Sequence, residues 1–376
     1  MTKTRVYLDY NATTPVDPDV REAMLPYLGG IFGNPSSMHW AGFEARKALE
    51  EAREQVASSL GCESREIIFT SGGTESINLA LSGVVKHAMA MGKKRSVSLV
   101  TTAIEHQAVL KTCENLEKDG LAKAAFLSVD SLGRINLEAL RTSLSMETVL
   151  LSVMMANNEI GNIYPIAEMG KMARDKGILF HVDAVQAVGK LKMNLKNLPV
   201  DLLSFSGHKI YGPKGVGCLY IRKGVRLQPL IFGGAQEWEK RAGTENLPGI
   251  VGLGKALSKV CKNIDSEGLR LQRLRDRLED GLKKASLGVI VYGDPEHRLP
   301  NTLKVSFEGV QDEADPFAHR GDKQTRDGRA DKPGGVEHGG IEGNRVPQVF
   351  TVVDHFHEER LAGRYIKGAD NAEDKA

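Results

Sequence analysis

Two hydrophobic rhythms alternate along most of the chain. The run REIIFT is short and continuously apolar, as a buried strand would be. It is followed by SGG and then by TESINLALSGVVKHAM, whose apolar positions recur at helical spacing. SVSLVTT predicts a strand, and HQAVLKTCENLEKDG predicts a helix closing at Gly120. TVLLSVMMA, ILFHVDAV, VDLLSFS and GVGCLYIRKG predict further strands. PIAEMGKMARDKG predicts a helix with Pro165 at its start and Gly177 at its end. Nearly continuous apolar strands alternating with helices indicate an α/β domain whose mostly parallel sheet is covered on both faces. Ligands of such sheets sit at the carboxyl ends of the strands.

The rhythm changes after Gly249. GIVGLGKALSKVCKNI and SEGLRLQRLRDRLEDGLKKA predict two helices, the second strongly charged, and NTLKVSF predicts a strand. The expectation is a large domain over 15–255 and a smaller, incomplete α+β domain built from 1–14 and 256–310. From Gln311 the chain is rich in Gly, Asp, Arg and Lys and poor in large apolar residues. The tail 311–376 therefore reads as atypical and disordered, although VPQVFTVVDHFHEERLAGRYI within it has the pattern of a strand and a short helix. His355, His357 and Glu358 in HFHEE read as a chance polar stretch, so no metal site is expected.

Composition narrows the function. The 376 residues, 41% hydrophobic and 26% charged, suffice for a sizeable core. A net charge of +2 does not point to nucleic acid or an anionic membrane. No apolar run approaches the length of a membrane span. The N-terminus lacks the apolar core of a secretory signal. The 4 cysteines, Cys62, Cys113, Cys218 and Cys261, are scattered without a CxxC pair. That argues against a zinc site and a disulfide framework, and a reducing cytoplasm is the expected compartment.

Three stretches at predicted strand ends carry candidate chemistry. SGGTES would bring free N–H groups and a helix N-terminus to a phosphate, but read alone it is equally a turn and a cap. Asp183 in HVDAVQ would be costly to bury unpaired. It is either a loop cap or the partner of a protonated ring nitrogen, as in a pyridoxal phosphate site. Lys209 in SGHK, beside His208 and Ser206, is either a surface lysine or an amine poised for a Schiff base.

The order of the motifs decides between these alternatives. YLDYNATTPVDP, FGNPSSMH, FTSGGTES, EHQAV, ANNEIG, FHVDAVQAVGK, SFSGHKIYGPKGVG and RAGTENLPGIVG follow one another between about Val6 and Glu308. Together they resemble the cysteine desulfurase family, in the class V aminotransferase-like group of fold-type I pyridoxal-phosphate enzymes. The resemblance implies pyridoxal 5'-phosphate as cofactor and L-cysteine as substrate. It implies a homodimer that passes sulfur to an enzyme thiol for iron–sulfur cluster assembly, with a scaffold or sulfur-acceptor protein as partner. It implies that Lys209 forms the Schiff base and shuttles protons, and that His106 stacks on the ring. Asp183 would bind the ring nitrogen and Gln186 the ring oxygen. Asn158 would lie near that oxygen and the substrate carboxylate. Gly73, Thr74, Ser206 and His208 would hold the phosphate, with Thr244 arriving from the other subunit.

The chain departs from the family beyond Glu308. The family places a nucleophilic cysteine on a Gly/Ser-rich loop there, followed by a substrate-binding arginine. No cysteine follows Cys261, and no tail arginine stands in a family motif. The four cysteines present read as structural. The abrupt boundary suggests a reading-frame change or a replaced C-terminus. The expected activity is therefore an impaired desulfurase. The alternatives are a cysteine or selenocysteine lyase and a non-catalytic, cofactor-bearing dimer partner.

Overall fold

The computed structural model describes residues 6–92, 97–285, 288–308 and 347–351. The helices are α1 (Pro18–Met24), α2 (Trp40–Leu60), α3 (Gly73–Ala90), α4 (Gln107–Lys118), α5 (Leu137–Ser143), α6 (Ile166–Asp175), α7 (Leu247–Lys262) and α8 (Ile264–Ala285). The strands are β1 (Ile67–Thr70), β2 (Ser98–Thr102), β3 (Lys123–Leu127), β4 (Thr148–Met154), β5 (Leu179–Asp183), β6 (Leu202–Ser206), β7 (Gly217–Ile221), β8 (Val289–Tyr292), β9 (Thr302–Phe307) and β10 (Pro347–Thr351).

Seven strands form the main sheet in the order β1-β7-β6-β5-β4-β2-β3. From β3 across to β6 all pairings are parallel. β7 runs antiparallel to both β6 and β1. The reason is local: residues 207–216 join β6 to β7 and are too few for a crossover helix, so the chain must turn back. That turn is the one that carries Lys209.

Helices cover both faces, as continuously apolar strands require. Leu49, Val56 and Leu60 of α2, Met169 of α6 and Leu253 of α7 share one buried cluster with Leu151, Val153, Phe180 and Val182 of the sheet. Ile77 and Leu81 of α3 and Val109 and Leu116 of α4 pack with Leu150 on the other face. Each such side chain contributes about 1.5–3 kcal/mol of transfer free energy. His181, buried mid-sheet, bonds through both ring nitrogens to Ser152 and Ser204 at 2.8 and 2.9 Å. Burial pushes it down to about 3, so it stays neutral at ordinary pH.

A second sheet of three antiparallel strands, in the order β10-β9-β8, stands beside the first. Leu303 and Val305 of β9 are fully buried there. α8 buries only Leu271 and Arg275, which fits its charged sequence. The strand expected in VPQVF is present as β10. The rest of the tail, including HFHEE and the short helix, lies outside the described residues, as does the expectation of disorder.

Several elements were not predicted. α2 buries a stripe built largely of alanines, Ala41, Ala45, Ala48 and Ala52, which have helix propensity but little hydrophobic contrast. β3 is an edge strand with mostly exposed positions, so it lacks the apolar signature of its neighbours. Among the described residues no helix is long and apolar enough to cross a membrane.

Candidate active site

β1 ends at Thr70 and α3 begins at Gly73, so one tight turn carries the chain from sheet to helix. The turn is pinned by Thr70 and Ser76, whose hydroxyls lie 2.7 Å apart and both donate to the Gly72 carbonyl at 3.1 Å. A Cβ on Gly73 would sit 2.8 Å from Val185 Cγ2, and one on Gly217 would sit 2.5 Å from Gly72 Cα. Glycine is therefore needed at both positions to let the turn lie against β7 and the residues after β5. No side chain caps the start of α3, so its first N–H groups and positive dipole end face outward.

At the end of β5, Asp183 is buried and its Oδ1 accepts from the Val185 N–H at 3.0 Å. At the end of β6 stand Ser206, His208 and Lys209. The Lys209 amine donates to the carbonyls of Asn11 and Ala12, the latter at 2.7 Å. His208 Nδ1 shares a hydrogen bond of 3.1 Å with the Thr13 hydroxyl. The next residues are held by Thr14, whose hydroxyl donates to the His208 carbonyl and accepts from the Tyr211 N–H at 2.8 Å. Tyr211 has φ 63°, a left-handed conformation that costs a non-glycine residue about 1–3 kcal/mol. After β2, His106 caps α4: its Nδ1 accepts from the Ala108 N–H at 3.1 Å. The neutral ring therefore carries its proton on Nε2.

These elements enclose a cavity of about 450 Å³. Gly73, Thr74, His106, Asn158, Asp183, Gln186, Ser206, His208 and Lys209 all line it. Of the residues singled out from the sequence, only Thr244 does not; it is exposed in the segment before α7.

Burial shapes the charges of the site. It holds the Lys209 amine below its usual range, against the pull of Asp9 and Asp183. It raises the Asp183 carboxyl, although Val185, His106 and Lys209 act the other way. Burial, Lys209 and Lys214 push His208 down to about 4, so that ring is neutral.

Sequence reasoning missed four contributors. Asn11, inside the quoted YLDYNATTP motif, donates from Nδ2 to the Asn158 carbonyl and the Thr302 hydroxyl, both at 3.1 Å. Its own carbonyl receives Lys209 and Gln186. Asp9 and Glu159 also line the cavity. Glu105, next to His106, accepts from the Thr102 hydroxyl and the Met154 N–H at 2.8 and 3.0 Å. Burial pushes Glu105 up to about 8, so it is protonated near neutrality. Each is a polar residue inside a recognised motif, and that was the signal available.

None of the four cysteines lines the cavity. Cys113 and Cys218 are buried. Burial pushes Cys62 and Cys113 up to about 12 and also raises Cys218 and Cys261. Such thiols hold little thiolate and are poor nucleophiles.

Comparison with known proteins places the chain in a family. Residues 6–318 match the aminotransferase class-V family. A cysteine desulfurase of Nostoc sp. is 50% identical over 309 residues, covering 82% of this chain and 76% of the relative. A solved NifS-like protein superposes with a TM-score of 0.78 at 44% identity, covering 82% of this chain and 83% of that one. A solved SspA in complex with cysteine gives 0.73 at 36% identity, covering 81% and 84%. The chain belongs to the cysteine desulfurases, a pyridoxal-phosphate-dependent branch of the class-V aminotransferase family.

Proposed function

We propose that the 450 Å³ cavity binds pyridoxal phosphate and L-cysteine and works as a cysteine desulfurase site. The observation that carries this reading is the sharing of one cavity by the Lys209 amine, the buried Asp183 carboxylate and the uncapped start of α3. The donor set suits the cofactor. A dianionic phosphate needs several N–H and O–H donors, and Gly73, Thr74, Ser206 and His208 supply them at one end. Asp183 has one N–H donor and a carboxyl raised by burial, which is relieved by a cationic partner such as a protonated ring nitrogen.

When bound, the cofactor supplies a protonated ring that withdraws electrons from the carbon attached to the substrate amine. The residues of the chain do the rest. Asp183 keeps the ring nitrogen protonated. His106 would stack on the ring and would present Nε2–H to the substrate. Asn158 orients the substrate carboxylate. Lys209 holds the cofactor covalently and then moves a proton at the substrate α-carbon, a role suited to an amine whose charge is disfavoured by burial.

Sulfur transfer also needs a thiolate: the C–S bond breaks, an S–S bond forms on the acceptor, and the carbon takes up a proton to give alanine. Cys261 is the last cysteine of the chain, and the four thiols are all raised away from reactivity. We propose that release of sulfur is slow here and relies on a thiol from outside the chain, such as an acceptor or iron–sulfur scaffold protein. We also propose a homodimer, in the cytoplasm, built from a large domain of 15–255 and a small one of 1–14 and 256–310. Leu28, Phe32, Met38 and Trp40, exposed to between 66% and 81% along one connection, support a covering second copy. In that dimer Thr244 reaches the partner's phosphate end.

The test is to supply cofactor and L-cysteine with a thiol reductant and to measure alanine, pyruvate and sulfide. Slow alanine release that rises with added thiol supports the reading. Pyruvate in place of alanine would make the protein a lyase. Lys209→Ala should abolish the borohydride-reducible cofactor link, and its survival would remove Lys209 from the role.

A further inference from the structure

Lys190 lies four residues beyond Gln186, in the segment after β5. Its ammonium donates to Gln186 Oε1 at 2.7 Å. Nε2 of the same amide donates to the Asn11 carbonyl at 2.9 Å. That carbonyl also accepts from the Lys209 amine. A line of hydrogen bonds thus runs from one lysine to the other through an amide and a carbonyl. Gln186 is buried and lines the candidate cavity. Lys190 lines an adjoining cavity of about 390 Å³, which meets the first at Lys209.

The chemistry gives this line a direction. A primary amide has an acceptor end and a donor end of nearly equal shape, and either can face a given neighbour. When protonated, Lys190 can only donate, so it selects the oxygen. The Asn11 carbonyl can only accept, so it selects the nitrogen. Nε2 carries two hydrogens, and one of them is used by Asn11. The other remains for a group in the cavity. The charged groups around the adjoining cavity do not compete for Lys190. Asp17 is held by Lys259 at 2.8 Å, and Glu267 by Arg270 at 2.8 Å. Burial and the charge of Lys209 push Lys190 down to about 7, so the two amines also act on one another directly.

We propose that Lys190 is a positioning residue of the site: it fixes the Gln186 amide with its N–H end toward the cavity, making Gln186 a donor to an anionic ring oxygen. The proposal rests on the cofactor reading above and adds a residue that never touches the cofactor. Without Lys190 only the Asn11 carbonyl holds the amide, so the turned state, which faces an acceptor toward the same oxygen, becomes more populated.

The test is a double-mutant cycle on the cofactor-loaded protein, with Lys190→Met, Gln186→Met and the pair. Two quantities are read: the cofactor dissociation constant and the pH midpoint of the visible band of the lysine-linked cofactor. Lys190→Met should weaken cofactor binding about tenfold and move the midpoint by about one unit. In the Gln186→Met background it should leave cofactor binding unchanged and move the midpoint clearly less, through the direct action of one amine on the other alone. Lys190→Arg, which keeps an obligate donor, should restore the wild-type midpoint. Should Lys190→Met fail to fold, Lys190→Gln supplies an amide that can also accept and gives the same comparison. Equal shifts with and without Gln186, or an unmoved midpoint beside a normal wild-type band, overturn the assignment of Lys190. A wild type that forms no visible band overturns the cofactor reading and this assignment with it.

Discussion

Breaking the buried pair between Arg53 and Glu237 should destabilise the protein more than removing both charges. Each side chain is 2% exposed. Glu237 accepts from both terminal nitrogens of Arg53 at 2.8 Å and from the Phe69 N–H at 2.9 Å. The guanidinium lies 4.7 Å from the Phe69 ring centre and 4.4 Å from that of Trp238. Arg53 also donates to the Ile67 carbonyl at 2.8 Å, so it joins α2, β1 and the 236–239 turn. That turn is strained: Glu237, Trp238 and Glu239 have φ of 47°, 53° and 62°. Each left-handed non-glycine residue costs about 1–3 kcal/mol, and the pair holds all three in place.

Arg53→Met leaves a carboxylate buried with one N–H donor. Removing one partner of a buried pair costs about 3–5 kcal/mol. Losing the cation–π contacts adds about 1–2 kcal/mol. The double variant Arg53→Met/Glu237→Met buries no charge and lets the turn relax, so its loss should stay near the cation–π contribution of about 1–2 kcal/mol. Equilibrium urea unfolding at neutral pH of the wild type, both single variants and the double completes a cycle. The double should unfold at a higher midpoint than Arg53→Met. If the losses of the two single variants simply add, the charges are not coupled in the way the geometry requires and the argument fails.

Glu105→Gln should be tolerated at neutral pH, because the carboxyl is raised to about 8 and already carries a proton. A raised carboxyl binds its proton more tightly folded than unfolded. The wild type should thus lose stability relative to Glu105→Gln as pH rises from about 4.5 to about 8, and no further above that; parallel pH–stability curves would refute this. After incubation with cofactor and L-cysteine, alkylation and peptide mass mapping should find no persulfide on Cys62, Cys113, Cys218 or Cys261, and finding one there would identify a sulfur carrier. In the proposed dimer, where Thr244 would donate a hydroxyl to the partner's phosphate, Thr244→Val should weaken cofactor binding about tenfold. In dimers mixed with a Lys209→Ala chain, which forms no lysine link, the Thr244→Val chain's own lysine-linked site should bind normally, because its threonine would come from the partner; a loss there would refute the exchange.

The sheet was legible because its strands are buried on both faces and so carry almost no polar interruption. The Lys209 turn and the Asp183 strand end were legible because each sits where an apolar run stops. α2 was not, since alanines give a helix face without hydrophobic contrast. Nor was the direction of β7, which depends on the length of a connection rather than on the strand itself. Within the site, residues that act through their own side chain at a strand end were found. Asn11 was not, although its motif was recognised. Its partners Asn158, Thr302 and Lys209 lie between 147 and 291 positions away in sequence, and no local periodicity encodes such a meeting. Glu105 was passed over for a related reason. In sequence it is one more charged residue beside a histidine, and only burial shows that it is protonated.

What these residues share is an unfavourable balance in the protein alone. Asp183 is raised, Lys209 is lowered, Lys190 is pushed to about 7 and Glu105 to about 8, all chiefly by burial. Tyr211, two residues past Lys209, sits in a left-handed conformation. Asp183 and Lys209 share one cavity, and a folded chain gains nothing by placing such groups there unless something else meets them. A ligand that brings a cationic ring nitrogen to Asp183 and an anion to the start of α3 relieves the first of these costs and uses the donors that α3 leaves uncapped. A Schiff-base link at Lys209, which holds a proton less tightly than a free amine, would lessen the charge that presses on Lys190. Each relief favours the loaded state over the empty one, so cofactor binding and folding stability must rise together. The raised Asp183 and the lowered Lys209 on one cavity wall are therefore the groups that the proposed ligand would suit.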